Sequence, residues 1–125
     1  MLGSSALVAF VAVADLGLAR DFYGDRLGLK LLSESDFSAE FDANGTRLRV
    51  TKVAGHLPAD HTVLGWRSED IAAEVLALAE HGVEFVRYDG VEQDELAIWT
   101  APGGDRIAWF TDPEGNVLSL TQFVS

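Results

Sequence analysis

The sequence predicts an α+β fold in which one β-α-β-β-β module is used twice, and three observations predict it. Asp15 and Asp70 each open a segment of helical spacing that closes on a glycine. Residues 16–27 run into Gly28-Leu29-Lys30-Leu31, and residues 71–81 run into Gly82-Val83-Glu84-Phe85. Each segment follows an apolar, strand-like run, at 6–13 and 62–66. Each copy also ends in a turn followed by alternating residues, Asn44-Gly45 before 46–51 and Gly115-Asn116 before 117–122. A repeated unit of about 55–60 residues is too short to bury its own sheet face. Two copies can share one core, and the seam between them is where a ligand would sit.

Val8 to Val13 form a continuous apolar run rich in β-formers, which predicts a strand covered on both faces. Asp15 is a suitable N-cap. Behind it Leu16, Ala19, Phe22, Tyr23 and Leu27 make one apolar stripe, and Gly28 suits the left-handed stop of the helix. Residues 30–33, 37–41 and 47–53 then read as short strands, with Asp42-Ala43-Asn44-Gly45 turning between the last two. Module one thus covers about residues 1–53, and 54–61, with Gly55 and Pro58, form a linker. In module two, about 62–125, residues 62–67 predict a strand. Ile71, Val75, Leu78 and Ala79 stripe the next helix, which Gly82 stops. Residues 83–88, 96–100, 106–111 and 117–123 read as strands, with Pro102-Gly103-Gly104 and Asp112-Pro113-Glu114-Gly115-Asn116 as turns.

At 125 residues and 48 % hydrophobic, the chain is one domain with ample core material. It has no cysteine, so neither a disulfide nor a thiolate ligand or nucleophile is available. A net charge of −11 argues against nucleic acid, whose phosphates would be repelled, and is compatible with a cationic ligand. The apolar run at 6–14 has no basic residue before it and is far shorter than a bilayer span. The expectation is a cytoplasmic protein with no membrane partner.

Val13-Ala14-Asp15-Leu16, Phe22-Tyr23 and Leu27-Gly28-Leu29 resemble the opening signature of the vicinal oxygen chelate superfamily. That superfamily includes glyoxalase I, extradiol dioxygenases, fosfomycin-resistance enzymes and bleomycin-resistance proteins. Asp112-Pro113-Glu114-Gly115-Asn116-Val117-Leu118 resembles its closing signature, so the likeness spans essentially the whole chain. The resemblance implies a cleft enclosed by an eight-stranded mixed sheet with helices outside. It also implies metal ligands in the first and last strands of each module. The first-strand position lies seven residues before the helix-opening Asp, which is Val8 in copy one and Val63 in copy two. The last-strand position lies seven residues after the Asp of the Asp-Pro turn, which is Ser119; its counterpart in copy one is Arg49. Valine has no donor, Arg49 repels a cation and a lone serine hydroxyl is a poor ligand. The expectation is therefore no metal and no cofactor.

Among other candidates, His56, Asp60 and His61 form the one His/Asp cluster, and strand alternation could place His61 near a cleft rim; a solvated linker is the plainer reading. His81 suits the carbonyl end of a helix. Arg47 and Arg49 alternate with Leu48 and Val50, so both guanidinium groups share a face, either anchoring an anion or carbonyl or pairing with acidic residues. Trp109 and Ile107 have the parity that lines the cleft in the family, Trp99 lies in a neighbouring strand, and Trp66 is expected to face the helix layer. Residues 87–95 make a charged loop, a lid or simply a solvated segment. The function expected is metal-free binding of a small hydrophobic or aromatic molecule, with antibiotic sequestration as its concrete form. Phe10, Val63, Trp99, Ile107 and Trp109 would form the wall, and Arg47, Arg49 and Ser119 the polar contacts. A homodimer is expected. The competing expectation is a divergent metal-dependent lyase or dioxygenase with displaced ligands such as His61.

Overall fold

Asp15 and Asp70 begin the two principal helices as expected, in a computed structural model that describes residues 1–124. The Leu18 N–H donates to Asp15 Oδ1 and the Ala73 N–H to Asp70 Oδ1, each at 3.1 Å. Each cap satisfies one of the amide donors that a helix start leaves without a partner. Gly28 and Gly82 end the segments at φ +79° and +80°, where a side chain would be strained. The chain divides between Leu57 and Pro58 into two units, each with its own four-stranded mixed sheet.

In unit one, β1 (Val8–Val13), β2 (Lys30–Glu34), β3 (Ser38–Ala43) and β4 (Thr46–Lys52) lie in the order β1-β4-β3-β2. β1 runs parallel to β4, a pairing that requires a crossover, and α1 (Leu16–Arg20) begins that crossover. Val11 and Val13, Ala39 and Phe41, and Leu48 and Val50 are buried, as are Leu16, Ala19, Phe22 and Tyr23 of the helical segment. The Tyr23 and Phe41 ring centroids are 6.3 Å apart. The predicted helix over 16–27 is present, but Asp21–Arg26 is π-helical, with the Leu27 N–H donating to the Phe22 carbonyl at 2.9 Å. The wider turn buries two consecutive aromatic residues, Phe22 and Tyr23. The hairpin between β3 and β4 turns through Asn44 and Gly45, both at positive φ, as a tight two-residue turn requires.

Unit two repeats the plan with β5 (Thr62–Arg67), α2 (Ile71–Glu80), β6 (Trp99–Thr100), β7 (Arg106–Thr111) and β8 (Val117–Gln122), ordered β5-β8-β7-β6. Ile71, Val75 and Leu78 are buried on α2, as are Ala108, Phe110, Leu118 and Leu120 on the sheet beneath. Trp66 stacks on Phe110, with centroids 6.2 Å apart, on the helix side where its parity places it. Asp112 knots the last turn. Its carboxylate accepts the backbone N–H groups of Glu114 and Asn116 and the Asn116 side-chain amide at 2.8–3.0 Å.

Two strand expectations fail here. Residues 83–88 form no ladder strand, and Phe85 makes only a single bridge to Phe110; the expected strand at 96–100 shrinks to Trp99–Thr100. The edge beside β7 is thus shared by two short stretches, with an excursion between them. No helix among the described residues is long and apolar enough to cross a membrane.

Candidate functional site

The side of each sheet that carries the predicted residues is opposite its buried core face, because alternate residues point to opposite sides. In unit one this open face carries Val8 and Phe10, Arg47, Arg49 and Thr51, and Ser38 and Glu40. The expectation that β1 is covered on both faces is not met within this chain: Val8 is half-exposed and Phe10 is 61 % exposed. An apolar run does not distinguish a strand covered twice from one with an open hydrophobic face. Arg47 and Arg49 share the face, as their spacing predicts, and both reach Glu40 Oε1, at 3.3 Å and 3.5 Å. Arg49 also lies 6.0 Å from the centre of the Phe10 ring. The two guanidinium groups therefore share one carboxylate. Phe10, Ala12, Phe37, Ser38, Arg49 and Thr51 line a shallow concavity of about 450 Å³.

In unit two the corresponding face is aromatic. Trp99 stacks on Trp109, with centroids 6.0 Å apart and planes at 28°. Tyr88 meets Trp109 edge-on at 5.5 Å and 85°. Ile107 pairs with Trp99 across the ladder, and Ser119 pairs with Trp109. Ser119 is 7 % exposed, while Val63 on β5 is 40 % exposed. Opposite Ser119 on β5 stands Gly65, where a Cβ would come within 2.8 Å of the Ser119 hydroxyl oxygen.

The charged loop, residues 87–95, is built around Gln93 and Asp94. Gln93 accepts the Tyr88 N–H at 2.8 Å and donates its amide to the Val86 and Ala97 carbonyls at 2.9 Å and 2.8 Å. The Asp94 carboxylate accepts the Leu96 and Ile98 N–H groups, and Arg87 donates to the Asp94 carbonyl at 2.8 Å. A glutamine and an aspartate thus fix where Tyr88 presents its ring to Trp109. Tyr88, Gly65 and Glu40 belong to these faces, though periodicity does not single them out. Gly65 was legible through the repeat, since it lies 55 residues after Phe10, the offset that relates Asp15 to Asp70. Nothing in the local pattern of 87–95 foretells that Tyr88 reaches the sheet.

The positions at which the family resemblance implies metal ligands hold Val8, Arg49, Val63 and Ser119, and these do not fit a divalent ion. Valine donates nothing, Arg49 carries a permanent positive charge, and one neutral hydroxyl cannot make a coordination shell. His61 is exposed at the approach to β5. Among the described residues no three His, Asp or Glu side chains are grouped so that they could share a metal ion. His81, at the end of α2, has Nδ1 3.0 Å from the Ala77 carbonyl, a local helix-end contact.

Fold, repeat and open faces together define a member of a duplicated β-α-β-β-β class. Residues 6–120 match the model of the Glyoxalase/Bleomycin resistance protein/Dioxygenase superfamily, and the chain belongs to that superfamily. Among solved structures it is similar to TnmS3, an antibiotic binding protein from Streptomyces sp. CB03234. The identity is 29 %, the match covers 98 % of each chain and the TM-score is 0.70. A superfamily member from Sphaerobacter thermophilus DSM 20745 matches at 23 % identity over 98 % of this chain and 100 % of its own, with a TM-score of 0.75. The lactoylglutathione lyase of Agrobacterium tumefaciens matches at 17 % identity over 95 % and 93 % of the two chains, with a TM-score of 0.70. No curated protein matches the chain in sequence.

Proposed function

We propose that this protein binds a small, largely apolar, aromatic molecule without a metal ion, and that the Trp109 face of unit two supplies the main contact surface. The observation that carries this reading is the Trp99–Trp109–Tyr88 cluster, in which Trp109 contacts both other rings on the face opposite the core. Rings held in place by one another present large area with little rotamer freedom left to lose. Trp99, Trp109 and Ile107 form the wall, Val63 extends it, and Ser119 supplies a polar contact. On unit one, Phe10 is a second apolar surface, and Arg47 and Arg49 act there as one cationic group tempered by Glu40.

The likeness to an antibiotic-binding structure at 29 % identity favours sequestration over turnover. In its concrete form, the protein holds an antibiotic or related natural product, as a cytoplasmic homodimer, and breaks no bond. The lyase at 17 % identity shares the fold alone.

Thermal unfolding against a panel of planar aromatic compounds, aromatic antibiotics included, tests the reading. A ligand at one hundred times its Kd stabilises the native state by about 2.7 kcal/mol, which raises Tm by several degrees. At least one compound should do so, and Trp109→Ala should abolish the shift. A panel without effect, or stoichiometric metal lost on His61→Ala after purification without chelator, would overturn the proposal.

A further inference from the structure

We infer that Gly65 and Ser119 decide which ligands the aromatic face of unit two accepts: planar rings that carry a hydrogen-bonding oxygen or nitrogen on the edge seated against the sheet. The inference rests on the binding reading above and adds to it the shape and chemistry of the ligand. Its first support is a comparison of ladder positions. In unit one Phe10 pairs with Arg49, which pairs with Glu40. In unit two Gly65 pairs with Ser119, which pairs with Trp109. The same three sites on three adjacent strands therefore hold a benzyl group and two charges in one unit, and no side chain, a small hydroxyl and an indole in the other. Where unit one is filled by its own ring, unit two leaves a gap beside an indole wall. A ligand ring can stand where the Phe10 ring stands in unit one.

The second support is the state of Ser119. The residue is 7 % exposed and its hydroxyl makes no hydrogen bond with any described residue, yet no buried side-chain oxygen among the described residues lacks a partner, so this oxygen is open to solvent at the face. Its Oγ borders the gap, because a Cβ on Gly65 would lie 2.8 Å from it. A hydroxyl that solvent reaches and no side chain holds can exchange water for a ligand atom. A ligand edge entering over Gly65 can take the place of that water. Since a hydroxyl both donates and accepts, a ring hydroxyl and a ring carbonyl are equally suitable. Trp109 is fixed by Trp99 behind it and Tyr88 at its edge, so the wall beside the gap is already in place before the ligand arrives.

Two probes differing by one hydroxyl, 2-naphthol and naphthalene, test this on the full chain, with affinities read from ligand-induced amide shifts in NMR. The native protein should bind 2-naphthol about fivefold tighter than naphthalene, the net effect of one hydrogen bond exchanged for one to water. Ser119→Ala should erase that difference and leave naphthalene binding unchanged. Gly65→Ala should weaken both probes at least tenfold. Because its new methyl group presses on Ser119 Oγ, the double variant Gly65→Ala/Ser119→Ala, which removes that oxygen, serves as the folded control and should bind both probes as weakly. Equal effects of Ser119→Ala on both probes, or a double variant that binds naphthalene as the native chain does, would overturn the inference and leave the binding reading standing. Failure of both probes to bind the native chain, or binding indifferent to Trp109→Ala, would overturn that reading and the inference with it.

Discussion

The helix-facing sides of the two sheets match in chemistry, whereas their open sides do not. Ala39 and Phe41 in unit one, and Ala108 and Phe110 in unit two, occupy the same ladder positions; they pair with Val50 and Leu48, and with Leu120 and Leu118. All eight are buried. On the opposite side Phe10, Arg49 and Glu40 stand where Gly65, Ser119 and Trp109 stand in the other copy. The difference separates two kinds of constraint. A face under a helix must be apolar and close-packed to fold at all, so both copies keep it. A face turned away from the helix is free of that demand, and there one copy is charged and the other aromatic.

The sharpest break of this comparison is in the core. Phe41→Ala and Phe110→Ala should each cost about 3–5 kcal/mol, because a buried ring is replaced by a cavity. Urea unfolding measures both; a difference of more than a factor of two between them would mean that the shared pattern does not reflect shared packing. Asp112→Ala comes next, at about 2–3 kcal/mol, since it leaves the donors of the 112–116 turn without their acceptor. The same melts should show the loss, and recovery in Asp112→Asn, which keeps one carbonyl oxygen, would be partial. For the open faces, Trp109→Ala should weaken binding of a planar aromatic probe at least tenfold, whereas Glu40→Ala, its counterpart in unit one, should leave that affinity within about twofold. Calorimetric titration of the two variants sharpens the contrast, and equal losses would erase it. The helix caps should again behave alike, with Asp15→Ala and Asp70→Ala each costing about 1 kcal/mol in thermal or urea melts. Smallest is Glu40→Gln, at about 1 kcal/mol or less, because its two ion pairs involve half-exposed arginines. That loss should shrink further in 1 M salt.

Much of this architecture could be read without coordinates because its signals are local. Asp15 and Asp70 as caps, Gly28 and Gly82 as stops, and Asn44-Gly45 as a hairpin each depend on the few residues around them. Which side chains share a face was legible by parity. Alternation put Arg47 with Arg49 and Ile107 with Trp109, and the ladder keeps them on those faces. Where the reading failed, the deciding residues lay outside the misread segment. Residues 83–88 have strand composition, yet only Phe85 bridges to β7, because the excursion that follows is tied by Gln93 and Asp94 to its own backbone. Likewise the apolar run of β1 predicted two covered faces, but apolar composition does not say whether a second layer is present.

The sequence by itself determined the repeated module, the helix boundaries, the buried stripes and the unsuitability of Val8, Arg49, Val63 and Ser119 for holding a metal. Each follows from spacing, capping chemistry or the donor atoms a side chain possesses. Only the tertiary structure decided that Glu40 bridges both arginines, that Tyr88 closes on Trp109, and that Gly65 faces Ser119 where the other copy places Phe10 beside Arg49. Those are pairings across strands, fixed by ladder register and loop closure, and the pattern of a single strand does not encode them.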